Sequence, residues 1–396
     1  MKTNQLTDSV QYIGVADQTL DLFESQYTIP NGVTYNSYLI QDKKTAIMDT
    51  VDFRKATEWL QILDQHFVHS APDYLVVSHM EPDHSGTIGL LLEKYPSMTV
   101  VGNEKTFRML HQFFPVDLSS RSLIVAEGDT LSLGVHTLQF FMAPMVHWPE
   151  VMVTYDSHDQ ILFSADAFGT FGILDSEKEW IVDGRRYYIN IVGKYGAQVQ
   201  ALLKKVCPLE ISMICSLHGP VLKDNLAFYL EKYSTWSSYQ PEEEGILITY
   251  SSIHGHTAAA AKLLGTILHK KGAKNVVIRD LSRDDMSEVI ENAYRYDRLV
   301  LASSTYDGGL FPVMEDFLTH LKGKNFQKRT VAIIENGSWA PMAGKKIREA
   351  LDSMKEITLC EPLISIKSDL TPENREAMDQ LADHLLDNQN TLKCEH

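Results

Sequence analysis

Along the first 240 residues, short apolar runs alternate with amphipathic stretches. Residues 33–40 and 45–50 are two such runs joined by the polar turn Gln41-Asp42-Lys43-Lys44, a pattern that predicts a hairpin. Residues 53–67 place Trp59, Leu60, Leu63 and Phe67 at helical spacing. Residues 74–77 carry no charge and are rich in aromatic and β-branched side chains, as expected of a strand covered on both faces. A helix from Ile88 to Tyr95, a strand at 99–101 and a helix over 104–113 continue the alternation. From Ser122 the helical period lapses, and residues 123–126, 138–142, 151–155 and 160–164 read as four short strands separated by turn residues. Helices are predicted again over 183–205 and 226–236, with a strand at 211–216 between them. A hairpin-rich block after α/β material predicts two sheets packed together with helices outside.

The run Tyr239-Gln240-Pro241-Glu242-Glu243-Glu244-Gly245 joins a breaker, a charge run and a glycine, which makes it the predicted domain boundary. Residues 1–240 form the first predicted domain and 245–396 the second. In the second, the apolar strands 246–250, 276–278, 299–302, 331–334 and 363–366 alternate with helical segments of a dozen or more residues. That order predicts a doubly wound parallel sheet.

Candidate chemistry sits where the strands end. The run at 74–77 leads into His79-Met80-Glu81-Pro82-Asp83-His84, and Pro82, which has no N–H, predicts a loop there rather than a continued helix or strand. Two imidazoles and two carboxylates in so small a volume would conflict electrostatically unless divalent cations resolved the charge. His147, Asp166 and His218 each follow another apolar strand. Any one of them alone reads as a satisfied strand-end residue; together the seven predict a two-metal site, with Asp166 able to bridge both ions. Oxygen and imidazole donors without thiolate suit iron, manganese or zinc. Trp148, beside His147, reads as packing.

In the second domain the first strand runs into Ser251-Ser252-Ile253-His254-Gly255-His256-Thr257 and then a helix. Hydroxyls and N–H groups at a helix start suit a phosphate dianion. Ser304-Thr305-Tyr306-Asp307-Gly308-Gly309 follows the third strand, and Asn336-Gly337-Ser338-Trp339 the fourth. Each supplies glycine for close backbone approach and an aromatic ring. No G-x-G-x-x-G occurs, so electrons are expected from another protein rather than from a dinucleotide bound to this one.

The chain has 396 residues and a formal net charge of −16, which argues against nucleic-acid or anionic-membrane partners. No apolar run reaches the length of a membrane span, so a cytoplasmic protein is expected. Cys207, Cys215, Cys360 and Cys394 form no C-x-x-C pair, which predicts reduced thiols and neither a zinc knuckle nor a rubredoxin-type iron site.

The pattern His79-x-Glu81-x-Asp83-His84 with later His147, Asp166 and His218 resembles the metallo-β-lactamase superfamily in its flavodiiron version, over the whole chain and in the minimal two-domain form. Hydrolases of that superfamily usually carry His where this chain has Glu81. A carboxylate makes the site harder and favours redox-active iron over zinc. The resemblance implies an N-terminal metallo-β-lactamase-like αββα sandwich and a C-terminal flavodoxin-like domain. It puts one iron on His79, Glu81 and His147, the other on Asp83, His84 and His218, with Asp166 bridging. His84 stays open, because the matching histidine binds iron in some members and is turned away, replaced by water, in others. The three loops of the second domain resemble the phosphate and isoalloxazine loops of flavodoxins, so FMN is implied. The activity implied is reduction of dioxygen to water, nitric oxide to nitrous oxide, or both, with electrons from a rubredoxin-like carrier. A head-to-tail homodimer or dimer of dimers is implied as well. The alternative is a dizinc hydrolase fused to a flavodoxin domain.

Overall fold

The computed structural model describes residues 4–174 and 176–387; Cys394 lies outside them. The chain divides into two compact units, Met1–Ser237 and Ser238–His396.

The first unit is built on two sheets. One has six strands in the order Val10–Tyr12, Tyr38–Gln41, Thr45–Met48, Tyr74–Val76, Thr99–Gly102 and Ser122–Ile124. The other has five, in the order Thr130–Ser132, Thr137–Met142, Met152–Asp156, Ile161–Phe163 and Met213–Cys215. Tyr38, Ile40, Met48, Val76 and Val101 of the first pack against Leu138, Phe140, Met152, Ile161 and Phe163 of the second in one buried cluster. Alternate residues Leu39, Ile47, Leu75 and Val100 are equally buried on the outer face. Burial on both faces is why these strands read as unbroken apolar runs.

Four local features differ from the sequence reading. Only residues 38–48 form the hairpin; Val33–Tyr35 turns away to pair with Val15–Asp17. The buried Asn36 sits at that break and donates through Nδ2 to the Ser216 and Gly219 carbonyls, so its polarity is satisfied across the fold. Strand Ser122–Ile124 pairs parallel with Thr99–Gly102 and joins the first sheet, not the hairpin block. The expected loop after Glu81 is a single helical turn, Pro82–Ser85, because proline at N1 loses no helical hydrogen bond. The helix expected over 183–205 is broken into Trp180–Tyr187, a π-turn Tyr188–Val192, a 3-10 turn and Gly196–Val206.

In the second unit five parallel strands lie in the order Val276–Asp280, Glu243–Ser251, Tyr296–Tyr306, Gln327–Asn336 and Lys355–Ile366. Ile246, Ile248, Val300, Ala332 and Ile334 pack under helices His256–Lys270 and Pro372–Asp387 through Leu264, Leu268, Leu381 and Leu385. The chain passes from the first strand, Glu243–Ser251, out to Val276–Asp280 on one side and then crosses back to Tyr296–Tyr306 on the other, and the carboxyl ends at that reversal form the crevice where such sheets bind ligands.

Candidate metal centre and ligand cleft

All seven candidate metal ligands of the first unit meet at the carboxyl ends of its strands. His79 follows Tyr74–Val76, Asp166 follows Ile161–Phe163, and His218 follows Met213–Cys215. The helical turn Pro82–Ser85 carries Asp83 and His84, and the turn after Thr137–Met142 carries His147. Asp49, Met145, Ala165 and Phe168, near these positions, hold left-handed backbone at φ between 51° and 67°. Each such residue costs about 1 kcal/mol or more, strain that clusters where a site must be held in one geometry.

The donor atoms fall into two groups, His79, Glu81, His147 and Asp166 in one and Asp83, His84 and His218 in the other. Asp166 faces both. Its Oδ2 lies 3.3 Å from His79 Nε2 and 3.2 Å from His147 Nε2, while Oδ1 lies 3.3 Å from His84 Nε2 and 3.8 Å from His218 Nε2. Glu81 Oε2 approaches His79 and His147 at 3.2 and 3.0 Å, and Asp83 Oδ2 approaches His84 and His218 at 3.4 and 3.2 Å. His84 therefore points inward.

Hydrogen bonds satisfy only part of this set: His79 Nε2 pairs with Glu81 Oε2 at 3.2 Å and His84 Nε2 with His218 Nε2 at 3.0 Å. Both Asp83 oxygens, Asp166 Oδ1 and His147 Nε2 are buried and have no hydrogen-bond partner. Buried polar atoms left unpaired are costly, and their convergence on two common points is what a pair of cations would satisfy. Electrostatics agree. Burial opposes ionisation of Asp166 and Glu81, yet the surrounding imidazoles hold both carboxyls well below their usual range. Burial likewise disfavours charge on His147, but Asp166 and Glu81 outweigh it and push the imidazole up to about 9.

Some supporting residues were invisible in the sequence. Glu150 is fully buried, and its Oε1 accepts from His79 Nδ1 and from Met80 N, both at 2.8 Å. That bond leaves His79 Nε2 free to face the site. His218 Nδ1 donates to the Thr34 carbonyl at 2.7 Å with the same effect. Tyr187 is buried with an unpartnered hydroxyl. Burial first, then the charges of Asp166, Asp83 and Glu81, push its phenol well above the usual value, so it stays a neutral donor beside the carboxylates. The half-buried Trp148 meets the His79 ring edge-on at 5.3 Å. His136, Asp156 and Asp159 form a third group, but His136 bonds Asp156 and Ser9 at 2.8 and 2.7 Å, and Ser9 and Thr7 bond Asp159. That group is a satisfied hydrogen-bond chain that ties down the N-terminal strand.

Glu150→Gln is expected to lower metal retention by about 10- to 100-fold, the usual range when an imidazole loses its orienting carboxylate. Metal analysis of the purified variant checks this, and unchanged content would show that Glu150 does not position His79.

In the second unit Ser252, Ile253, His254, His256 and Thr257 form one wall of a cleft of ≈ 650 Å³. Ser304, Thr305, Tyr306, Asp307 and Gly308 form another, and Asn336, Gly337, Ser338 and Trp339 the third. Three predicted positions do not line it. Ser251 lies within its strand with Oγ 3.0 Å from Ser303 Oγ, Gly309 faces a neighbouring groove, and Gly255 caps the helix. Gly255 and Gly308 hold φ of +93° and +74° with open space where a side chain would stand, and the Gly255 N–H donates to Ser252 Oγ at 3.1 Å. Thr257 is buried, its hydroxyl 2.9 Å from Ser304 Oγ.

Residues 33–219 match the family described as ODP family beta lactamase. The chain is 30% identical to the anaerobic nitric oxide reductase flavorubredoxin of Aliivibrio fischeri, over 88% of its own length and 72% of that protein's. The chain belongs to the flavodiiron proteins. As a flavodiiron protein it is an oxidoreductase. The flavorubredoxin of Vibrio vulnificus is 29% identical over 96% of this chain and 78% of that one. Among solved structures, the rubredoxin oxygen:oxidoreductase of Desulfovibrio gigas shares the fold over all of both chains, with a TM-score of 0.93 at 23% identity. The flavodiiron protein of Giardia intestinalis gives 0.89 at 24% identity, over 98% and 97% of the two chains. The two layered sheets and the parallel sheet of this chain are thus the metallo-β-lactamase-like and flavodoxin-like folds of that family. Among the described residues, no helix is long and apolar enough to cross a membrane.

Proposed function

We propose that this flavodiiron protein reduces dioxygen to water, nitric oxide to nitrous oxide, or both, with electrons that a rubredoxin-like carrier delivers through FMN. The observation that carries the reading is Asp166, with one carboxylate oxygen toward each half of a donor set in which both Asp83 oxygens, Asp166 Oδ1 and His147 Nε2 lack partners. His79, Glu81 and His147 would hold one iron, Asp83, His84 and His218 the other, and Asp166 both. The cleft at Thr257, Tyr306 and Trp339 would hold FMN. When bound, the iron pair supplies open coordination positions and electrons for a diatomic gas, and FMN supplies one- and two-electron steps.

The protein's own groups orient and shield. Glu150 and the Thr34 carbonyl fix the rings of His79 and His218. Phe23 and Trp148 cover imidazole edges, each with ring centroids 5.3 Å from its partner, which limits water at the ligands. Tyr187 holds a proton on its buried hydroxyl within the field of Asp166, Asp83 and Glu81. Names of relatives, flavorubredoxin and rubredoxin oxygen:oxidoreductase, support a rubredoxin-type donor and these two gases.

The test is anaerobic single turnover of the iron-loaded, reduced protein with each gas separately. Flavin reoxidation with nitrous oxide in the headspace, or with oxygen consumed and no peroxide released, is expected. Failure of both gases to reoxidise the flavin would end the proposal. The assembly proposed with it is a head-to-tail homodimer in which FMN of one chain serves the metals of its partner. Co-expressed chains, one disabled at Asp83 and Asp166 and the other at residues 251–257, should then regain activity that neither shows alone. Heterodimers that load both cofactors yet stay inactive would refute it.

A further inference from the structure

The flavin cleft has no fixed cation. Among the described residues that line it there is no lysine or arginine, although the ligand proposed for it carries a phosphate of nearly two negative charges at neutral pH. The phosphate end, at the start of helix His256–Lys270, instead carries two imidazoles, His254 and His256, on either side of the left-handed Gly255. Both are exposed.

We propose, resting on the flavin reading above, that His254 and His256 are the phosphate's cationic ligands, so that this protein discriminates FMN from dephosphorylated flavin in a pH-dependent way. The geometry supports it in two ways. Gly255 leaves open space where a side chain would stand, and the backbone N–H groups of the helix start remain close to the imidazoles. His256 Nδ1 already sits 3.2 Å from Asp369 Oδ1, which shows that the ring reaches an oxyanion from this position.

The charged groups around the pair are few. Asp369, after the last strand, faces His256 and is itself faced by Arg375; Asp307, from the loop after the third strand, lies on the opposite wall. The two aspartates repel a phosphate at every pH above the carboxylate range, so they set a constant penalty. Imidazole is the side chain that titrates between pH 5 and 8. A bound dianion raises the pKa of an imidazole beside it, so the extra affinity is present below the free-protein pKa. It is lost as pH rises through the pKa of the complex. One unit of such a rise corresponds to about tenfold in affinity.

The experiment uses the full chain freed of flavin and titrated with FMN and with riboflavin, following flavin fluorescence from pH 6.5 to 9. Over that range the phosphate stays largely dianionic. The ratio of riboflavin Kd to FMN Kd should fall by about tenfold or more across it, while riboflavin Kd alone stays nearly constant. In the double variant His254→Asn with His256→Asn the ratio should be flat and match the wild-type value at pH 9. Riboflavin affinity of the variant reports that the cleft is still folded. A flat ratio in the wild-type chain, or an unchanged slope in the double variant with riboflavin affinity intact, overturns the imidazole proposal and leaves the flavin reading standing. If neither flavin binds at any pH, both fall.

Discussion

Asp166→Ala should empty both halves of the metal centre at once, whereas Glu81→Ala and Asp83→Ala should each weaken one half. The expectation rests on position. Asp166 is the residue with one oxygen within 3.3 Å of a histidine from each group, and the neighbouring Glu81 and Asp83 each approach only one group. Iron should fall from about two atoms per chain, the stoichiometry of a two-metal site, to near none. The loss is more than one ligand. Without Asp166 the four imidazoles His79, His84, His147 and His218 face each other in a buried space, so assembling cations among them costs the mutual repulsion that the carboxylate had screened. Iron per chain, measured beside FMN per chain, checks this, because flavin content reports an intact second unit. One tightly held iron in the variant would show that Asp166 serves a single metal.

The strands that carry these ligands were legible because they are buried on both faces and leave no ambiguity of period. Tyr74–Val76 lies between two parallel neighbours with Leu75 and Val76 fully buried, and only Ser78 separates the apolar run 74–77 from His79. The ligands were legible for the complementary reason, since charged or imidazole side chains directly after such runs have few other uses. What the sequence concealed depends on longer-range geometry. Glu150 looks like any acidic residue next to a Pro; it is functional only because the turn carrying His147 folds it against His79, 71 positions away. Tyr187 meets the His218 ring, with centroids 5.7 Å apart, at the point where its helix passes into a π-turn, a change of rotation that apolar spacing does not announce. Val33–Tyr35 could pair in more than one way, and it leaves the hairpin at Asn36, whose partners are contributed by residues 216 and 219. In the second unit the three loops were readable from their glycines and aromatics, whereas which residues face the ligand was not. Ser251 is chemically suited to a phosphate but sits one residue too deep in the sheet.

Removing the two aromatic walls, Tyr306→Ala with Trp339→Ala, should weaken FMN binding by about 10²-fold without loss of iron. Trp339 is 92% exposed and Tyr306 44%. Trp339 buries almost no area in the fold, Tyr306 meets the Phe311 ring edge-on at 5.7 Å, and exposed aromatics held in place mark surfaces that await a partner. These are held. Asn336 exchanges hydrogen bonds with the Ser368 backbone at 3.0 and 3.1 Å, and Ser368 Oγ donates to Ser338 Oγ at 2.7 Å, which anchors the loop before Trp339. Thr305 Oγ1 accepts from Met342 N and Ala343 N at 2.9 and 3.2 Å, tying the loop of Tyr306 to the start of helix Ala343–Leu351, which follows the loop of Trp339. The rings are therefore displayed on a rigid rim, and little ordering entropy remains to be lost when a flat ligand enters. A ring contact contributes roughly 0.5–1.5 kcal/mol beyond the area it covers, so two contacts with their buried area amount to about 2–3 kcal/mol. Each single variant should lose about tenfold, and the double variant about the product, if the rings lie on separate faces of the flavin. Fluorescence titration of the flavin-free chain measures both. If the double variant binds FMN within about threefold of the parent chain, the affinity resides in the phosphate loop and the aromatic walls are not flavin contacts.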